Sequence, residues 1–141
     1  MKLCKAGLED IAALAVMSQA LSEASGSAPM SLEKHRDRVG RELETYTTEL
    51  VLVEGELVGY LVHLSQRDLE DRSMILQIHR LFVKTDQRRK GVGREVVRQL
   101  LESYPKGTQI FLAGKLENKT ALAFYEALGF NVHLLTMRRV L

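Results

Sequence analysis

Residues 81–94 read Leu81-Phe82-Val83-Lys84-Thr85-Asp86-Gln87-Arg88-Arg89-Lys90-Gly91-Val92-Gly93-Arg94. An apolar start gives way to a basic turn with two glycines. Val92, Val96, Val97, Leu100, Leu101 and Tyr104 then recur at helical spacing until Pro105 and Gly107 stop the pattern. The stretch is therefore a strand, a turn and a helix, and the turn is suited to an anion. The first N–H groups of a helix lack intrahelical partners and sit at the positive end of its dipole, so a phosphate docked there satisfies both. Glycine at 91 and 93 keeps side chains off that backbone. Contacts from Lys90, Gly91, Val92, Gly93 and Arg94 are expected to dominate, with Arg88 and Arg89 adding charge. The competing reading is a plain solvated basic turn. A dinucleotide fingerprint would need a third glycine where Val96 stands, and a Walker A loop would need Lys-Ser or Lys-Thr where Arg94 begins.

Working outward, Ser73 to Lys84 is apolar on both faces, as a strand covered on both sides would be, and is expected at the middle of the sheet. Before it, Leu50 to Val53 and Leu57 to Leu64 flank the turn Glu54-Gly55-Glu56 and read as a hairpin. Residues 8–24 form an amphipathic helix ended by Gly26, and Ser31 caps a second helix carrying Leu32, Val39, Leu43 and Tyr46. Downstream come a strand at Gln109 to Ala113, a helix from Asn118 to Leu128 stopped by Gly129, and an apolar run from Phe130 to Leu141.

The helix segment reads Asn118-Lys119-Thr120-Ala121-Leu122-Ala123-Phe124-Tyr125-Glu126-Ala127-Leu128-Gly129-Phe130. Any buried helix face offers Ala121, Phe124, Tyr125 and Leu128. The segment nevertheless resembles motif B of the GNAT acetyltransferases, N-x-x-A-x-x-F-Y-x-x-x-G-F. Arg88-x-x-Gly91-x-Gly93 likewise resembles that superfamily's pyrophosphate-binding motif A, and both stand in the family's order.

The resemblance covers residues 75–130 and implies an α/β (α+β) domain spanning 1–141. Its mixed, mostly antiparallel central sheet would carry helices on both faces, in the order βααβββαβαβ, with the last strand single or split in two. It also implies acetyl-coenzyme A as co-substrate and no metal. The strand ending near Val83 and the strand at Gln109 to Ala113 would splay apart to admit the pantetheine arm. Leu81, Phe82 and Val83 would line that arm, with the backbone of Leu81 and Val83 pairing with it. Asn118 would touch the cofactor or fix the start of its helix.

Acetyl transfer to an amine needs removal of the ammonium proton, stabilisation of the developing oxyanion and protonation of the leaving thiolate. By resemblance Tyr125 is the general acid; a core aromatic with a tied hydroxyl is the other reading. Backbone N–H groups near Leu81 would hold the oxyanion. Strand alternation places Ile75, Gln77, His79, Leu81 and Val83 on one face, where relatives often carry Glu or His at the positions of Gln77 and His79. Gln77 cannot accept a proton. His79 can, so it is a candidate base beside two alternatives: a satisfied core histidine, or a water chain to Glu70 or Asp71.

Composition narrows the partners. An apolar fraction of 45%, a charged fraction of 27% and a net charge of +2 are those of an ordinary globular domain without the basic footprint of nucleic-acid binding. Cys4 is the only cysteine, which excludes an intrachain disulfide and a cysteine-based zinc site and fits a reducing, cytoplasmic setting. No apolar run approaches the roughly 20 residues of a membrane span. The expected acceptor is a small-molecule or peptide amine, such as a polyamine, an amino acid or an aminoglycoside-like compound. The alternative is an acyl-coenzyme A sensor without turnover. Phe130 to Leu141 leaves little length for a loop over the acceptor, so an open site is expected. The terminal run is a covered core strand in a monomer or an edge in a homodimer.

Overall fold

The computed structural model describes residues 1–141. Strand β1 (Lys2–Lys5) leads through a 3₁₀ turn at Leu8–Asp10 into helix α1 (Ile11–Ala24). Helix α2 (Leu32–Thr45) starts at Ser31, whose Oγ accepts from the Lys34 N–H at 3.2 Å. Strands β2 (Thr47–Val53), β3 (Glu56–Arg67) and β4 (Met74–Val83) follow, then helix α3 (Val92–Glu102), strand β5 (Gln109–Leu112) and helix α4 (Lys119–Ala127).

The five strands stand in the order β1-β2-β3-β4-β5, antiparallel throughout except for the parallel β4–β5 pair. A parallel neighbour needs a crossover, and α3 supplies it. The expected mixed, mostly antiparallel sheet is thus present. The central strand, however, is β3, and β4 lies between it and β5. Apolarity on both faces does not separate these positions, because both strands are interior and each gives buried residues to both cores.

One face of the sheet packs Tyr60, Val62 and Phe82 against Leu14 and Met17 of α1 and Val39 of α2. The other packs Val51, Leu61, Leu76 and Ile78 against Val96 and Leu100 of α3, with Phe130 at its margin. Two buried layers on one sheet fix the sheet's position between the helices, since each buried aliphatic side chain contributes roughly 1.5–3 kcal/mol.

The expected terminal strand does not form, and the element order is βααβββαβα. The Phe130 N–H closes the end of α4 on the Tyr125 carbonyl at 3.1 Å. Residues 131–141 then run exposed without regular structure. The apolar alternation slips between Leu134 and Leu135, so no single register turns these side chains to one face.

Candidate active site

The site begins with an irregularity in β4. Against β3, Val62 pairs with Arg80 and His63 pairs with Ile78, which leaves His79 as an extra residue in a β-bulge. A bulge reverses the alternation beyond it. Leu76, Ile78 and Leu81 all join the core beneath α3, while Arg80 and Phe82 face α1 and α2. The single face expected for Ile75, Gln77, His79, Leu81 and Val83 is therefore corrected. Ile75, Gln77 and His79 face the α2 side, and Leu81 and Val83 cross to the other.

The same bulge parts two strands. Pairing between β4 and β5 runs from Ile75 with Gln109 to Ile78 with Leu112 and stops there, although β4 continues to Val83. The Lys84 N–H donates to the Val58 carbonyl at 2.8 Å, and the Phe82 carbonyl abuts Gly59, where a Cβ would collide with it. Both groups point at β3, so the intervening Leu81 and Val83 turn their N–H and C=O groups toward the side β5 has vacated. The Phe82 carbonyl faces Gly59 and its ring lies in the α1/α2 core.

The basic turn follows. Arg88 Nε donates to the Val83 carbonyl at 3.0 Å, and the guanidinium lies 5.8 Å from the centre of the Phe82 ring. Arg88 thus ties the turn to the strand, and all four cations, Arg88, Arg89, Lys90 and Arg94, are exposed. Gly91 is the N-cap of α3 at φ 77°, a left-handed conformation that costs other residues roughly 1–2 kcal/mol. The space a Cβ would take there is open, and no side chain caps the helix, so its first amides are unclaimed. Gly93 has a different reason to be glycine. A Cβ there would lie 3.2 Å from Cζ of Phe124, so its smallness lets α4 dock on the first turn of α3.

That docking positions Tyr125. Its ring packs edge-to-face with Phe124 at 5.0 Å and Phe130 at 5.5 Å between centroids. Burial alone raises the phenol to about 12, so the hydroxyl stays protonated and available to donate. The Asn118 Oδ1 accepts from the Ala121 N–H at 3.2 Å and caps the start of α4.

His79 stacks on Tyr46 with centroids 4.6 Å apart, and both rings wall a cavity of about 280 Å³ between α2 and β4. Loss of water around the ring is the largest influence on this imidazole. Glu42 opposes it, Arg80 and Arg38 reinforce it, and the pKa falls below the usual 6.5. A neutral imidazole at neutral pH can accept a proton. Glu70 and Asp71 lie in the β3–β4 turn, at the far end of β4 from the bulge, and hydrogen bonds from Ser73 hold the Asp71 carboxyl below its usual range. Sequence reasoning missed the other walls, Arg38, Arg41, Glu42 and Arg80. The signal for Arg38, Arg41 and Glu42 was a polar stripe at helical spacing on α2, and Arg80 on β4 had none.

A five-stranded sheet with helices on both faces, parted beside a glycine-capped helix, defines the acetyltransferase class of α/β folds. Residues 12–130 match the model of the Acetyltransferase (GNAT) family, and the chain belongs to that family, whose general chemistry is acetyl transfer. No curated protein sequence matches the chain. Among solved structures, a possible acetyltransferase from Clostridium difficile 630 superposes with a TM-score of 0.84 at 17% identity, covering 99% of this chain and 95% of that one. An aminoglycoside acetyltransferase from an uncultured soil metagenomic sample, solved with trehalose, gives 0.70 at 18% identity over 99% and 95%. A transcriptional regulator from Bacillus halodurans C-125 gives 0.77 at 18% identity over 99% of each chain. At these identities the likeness shows the fold alone.

Proposed function

We propose that this protein moves the acetyl group of acetyl-coenzyme A onto a primary amine of a small molecule or peptide, by direct attack with both substrates bound. The observation that carries the proposal is the end of β4–β5 pairing at Ile78, which leaves the Leu81 backbone groups and the Val83 N–H without a strand partner, the Val83 carbonyl being taken by Arg88. The open space at Gly91 and the free first amides of α3 fit a diphosphate, with Arg89, Lys90 and Arg94 supplying charge around it. When bound, the thioester supplies an activated acetyl group.

The protein's own groups then have separable tasks. His79 takes the ammonium proton of the acceptor, freeing the nitrogen lone pair for attack on the carbonyl carbon. The Leu81 N–H steadies the negative charge that grows on the carbonyl oxygen. Tyr125 donates its phenolic proton to the sulfur as the carbon–sulfur bond breaks. The nitrogen sheds its second proton to solvent as the amide forms, the Tyr125 phenol recovers one from solvent, and His79 releases the proton it took.

The single cysteine, Cys4, supports a reducing, cytoplasmic setting. A homodimer is the favoured assembly, supported by the exposed apolar residues Val132, Leu134, Leu135 and Met137 near the free edge of β5.

The test is free-thiol release across an amine panel, with Tyr125→Phe beside the parent. Turnover should fall by roughly 10² while acetyl-coenzyme A affinity is retained. Unchanged turnover removes the assigned acid. A regulatory domain that binds acyl-coenzyme A without turnover is the second reading, favoured by the proton-inert Gln77 beside His79 and by the fold shared with the Bacillus halodurans regulator. Binding without consumption over the whole panel would select it.

A further inference from the structure

The cavity beside His79 has an unbalanced charge. Three arginines, Arg38, Arg41 and Arg80, reach it against one carboxylate, Glu42. Glu42 is buried and committed, since its Oε1 accepts from Arg80 Nε at 2.9 Å. Arg38 donates only to the soft sulfur of Met30, at 3.8 Å, and neither Arg38 nor Arg41 forms an ion pair with any carboxylate. Two arginines without a carboxylate partner therefore line a hollow whose other walls are Thr45, the Glu42–Arg80 pair and the Tyr46–His79 stack. Guanidinium is the side chain best shaped to grip a carboxylate or phosphate, and a site with uncompensated positive charge repels a polycation. At about 280 Å³ the hollow lies just below the roughly 300–1,000 Å³ of sites for drug-sized ligands, which suits a smaller molecule.

We infer that this cavity holds the anionic group of the acceptor, so that the protein's substrate is a small amine bearing a carboxylate or a phosphate, and neither a polyamine nor an aminoglycoside. Arg38 and Arg41 grip the anion, and the amine end reaches His79 at the bulge, where β4 leaves β5. The amine half of this inference rests on the acetyl-transfer reading; the anion site does not.

The two are separated by following the His79 ring signals by NMR in the full-length protein during titration with four probes. β-Alanine and 2-aminoethyl phosphate carry the anion; ethanolamine and spermidine do not. Saturable shifts are expected with at least one anionic probe, and whichever binds more tightly identifies carboxylate or phosphate as the preferred group. Ethanolamine and spermidine should bind at least about tenfold more weakly. Arg38→Gln and Arg41→Gln should each weaken the anionic probe by about tenfold or more, the low end for a charge-assisted contact. Arg36→Gln, on the opposite face of α2, should leave the titration unchanged. Anion binding without thiol release from either probe in the presence of acetyl-coenzyme A would uphold the anion site and overturn the amine half of the inference. The inference is overturned if neither anionic probe saturates, if ethanolamine or spermidine binds as tightly as both, or if both arginine substitutions leave anion binding intact.

Discussion

At the scale of single residues, burial and neighbouring charge set two proton equilibria that can be measured. Desolvation against Tyr46, opposed by Glu42 and aided by Arg80 and Arg38, lowers the His79 pKa from 6.5. A base with a lowered pKa works from below that value upward, so kcat should fall only as pH drops under 6.5 and stay level through neutrality. His79→Gln should remove this acidic limb and cut kcat by roughly 10². A pH–rate profile of the two proteins checks it, and an unchanged limb would return the role to water. His35 titrates in the same direction for a structural reason. It is buried between α1 and α2, with Nδ1 2.9 Å from Ser18 Oγ, and burial is the first cause of its lowered pKa. Its unfolded form takes up a proton near 6.5 that the native form refuses. Stability should therefore decline as pH falls below 6.5 and level off beneath the native pKa. Urea midpoints at several pH values would show the slope, and His35→Leu should make it shallower, leaving the share that His79 contributes.

At the scale of elements, α2 is joined to β4 by the ion pair of Glu42 and Arg80, whose side chains are 8% and 20% exposed. Removing one partner of a fully buried pair costs about 3–5 kcal/mol. With Arg80 partly wet, Glu42→Ala should cost about 2–3 kcal/mol by chemical denaturation. The α3–α4 contact makes a second demand. Gly93→Val would push a branched side chain against Phe124, and overpacking of this kind costs roughly 1–3 kcal/mol. Much of this level was legible in the sequence, because the signals were local: Ser31 as a cap, Gly129 as a stop, the Glu54-Gly55 turn, and the two motifs around Gly91 and Tyr125. The bulge at His79 was not, since an extra strand residue is defined by its partner strand and leaves no mark in its own chain. Nor were His35 and Glu42 legible as buried, because apolar periodicity assigns polar side chains to the surface. Only their partners, Ser18 and Arg80, make them tenable inside. The terminal strand failed for a related reason: apolar composition without a constant register does not specify a pairing.

At the scale of the whole molecule, the exposed run from Val132 to Leu141 is the least satisfied surface. In a homodimer it would be covered, so sedimentation equilibrium should give a concentration-dependent mass. The double substitution Leu134→Asp and Leu135→Asp should give a monomer with an undiminished core. A parent that stays monomeric at all concentrations would remove the dimer. The rest of the architecture serves one opening: the bulge parts β4 from β5, Arg88 ties the basic turn to Val83, and Gly91 starts α3 with its amides free. The most direct test is calorimetric titration of acetyl-coenzyme A into the parent and into Gly91→Asp. The added Cβ meets open space and Asp tolerates the left-handed backbone better than most residues, so the variant should remain folded. The parent should bind saturably and the variant at least about tenfold more weakly, because a carboxylate would then face the diphosphate. Equal affinity in a folded Gly91→Asp protein would contradict the account.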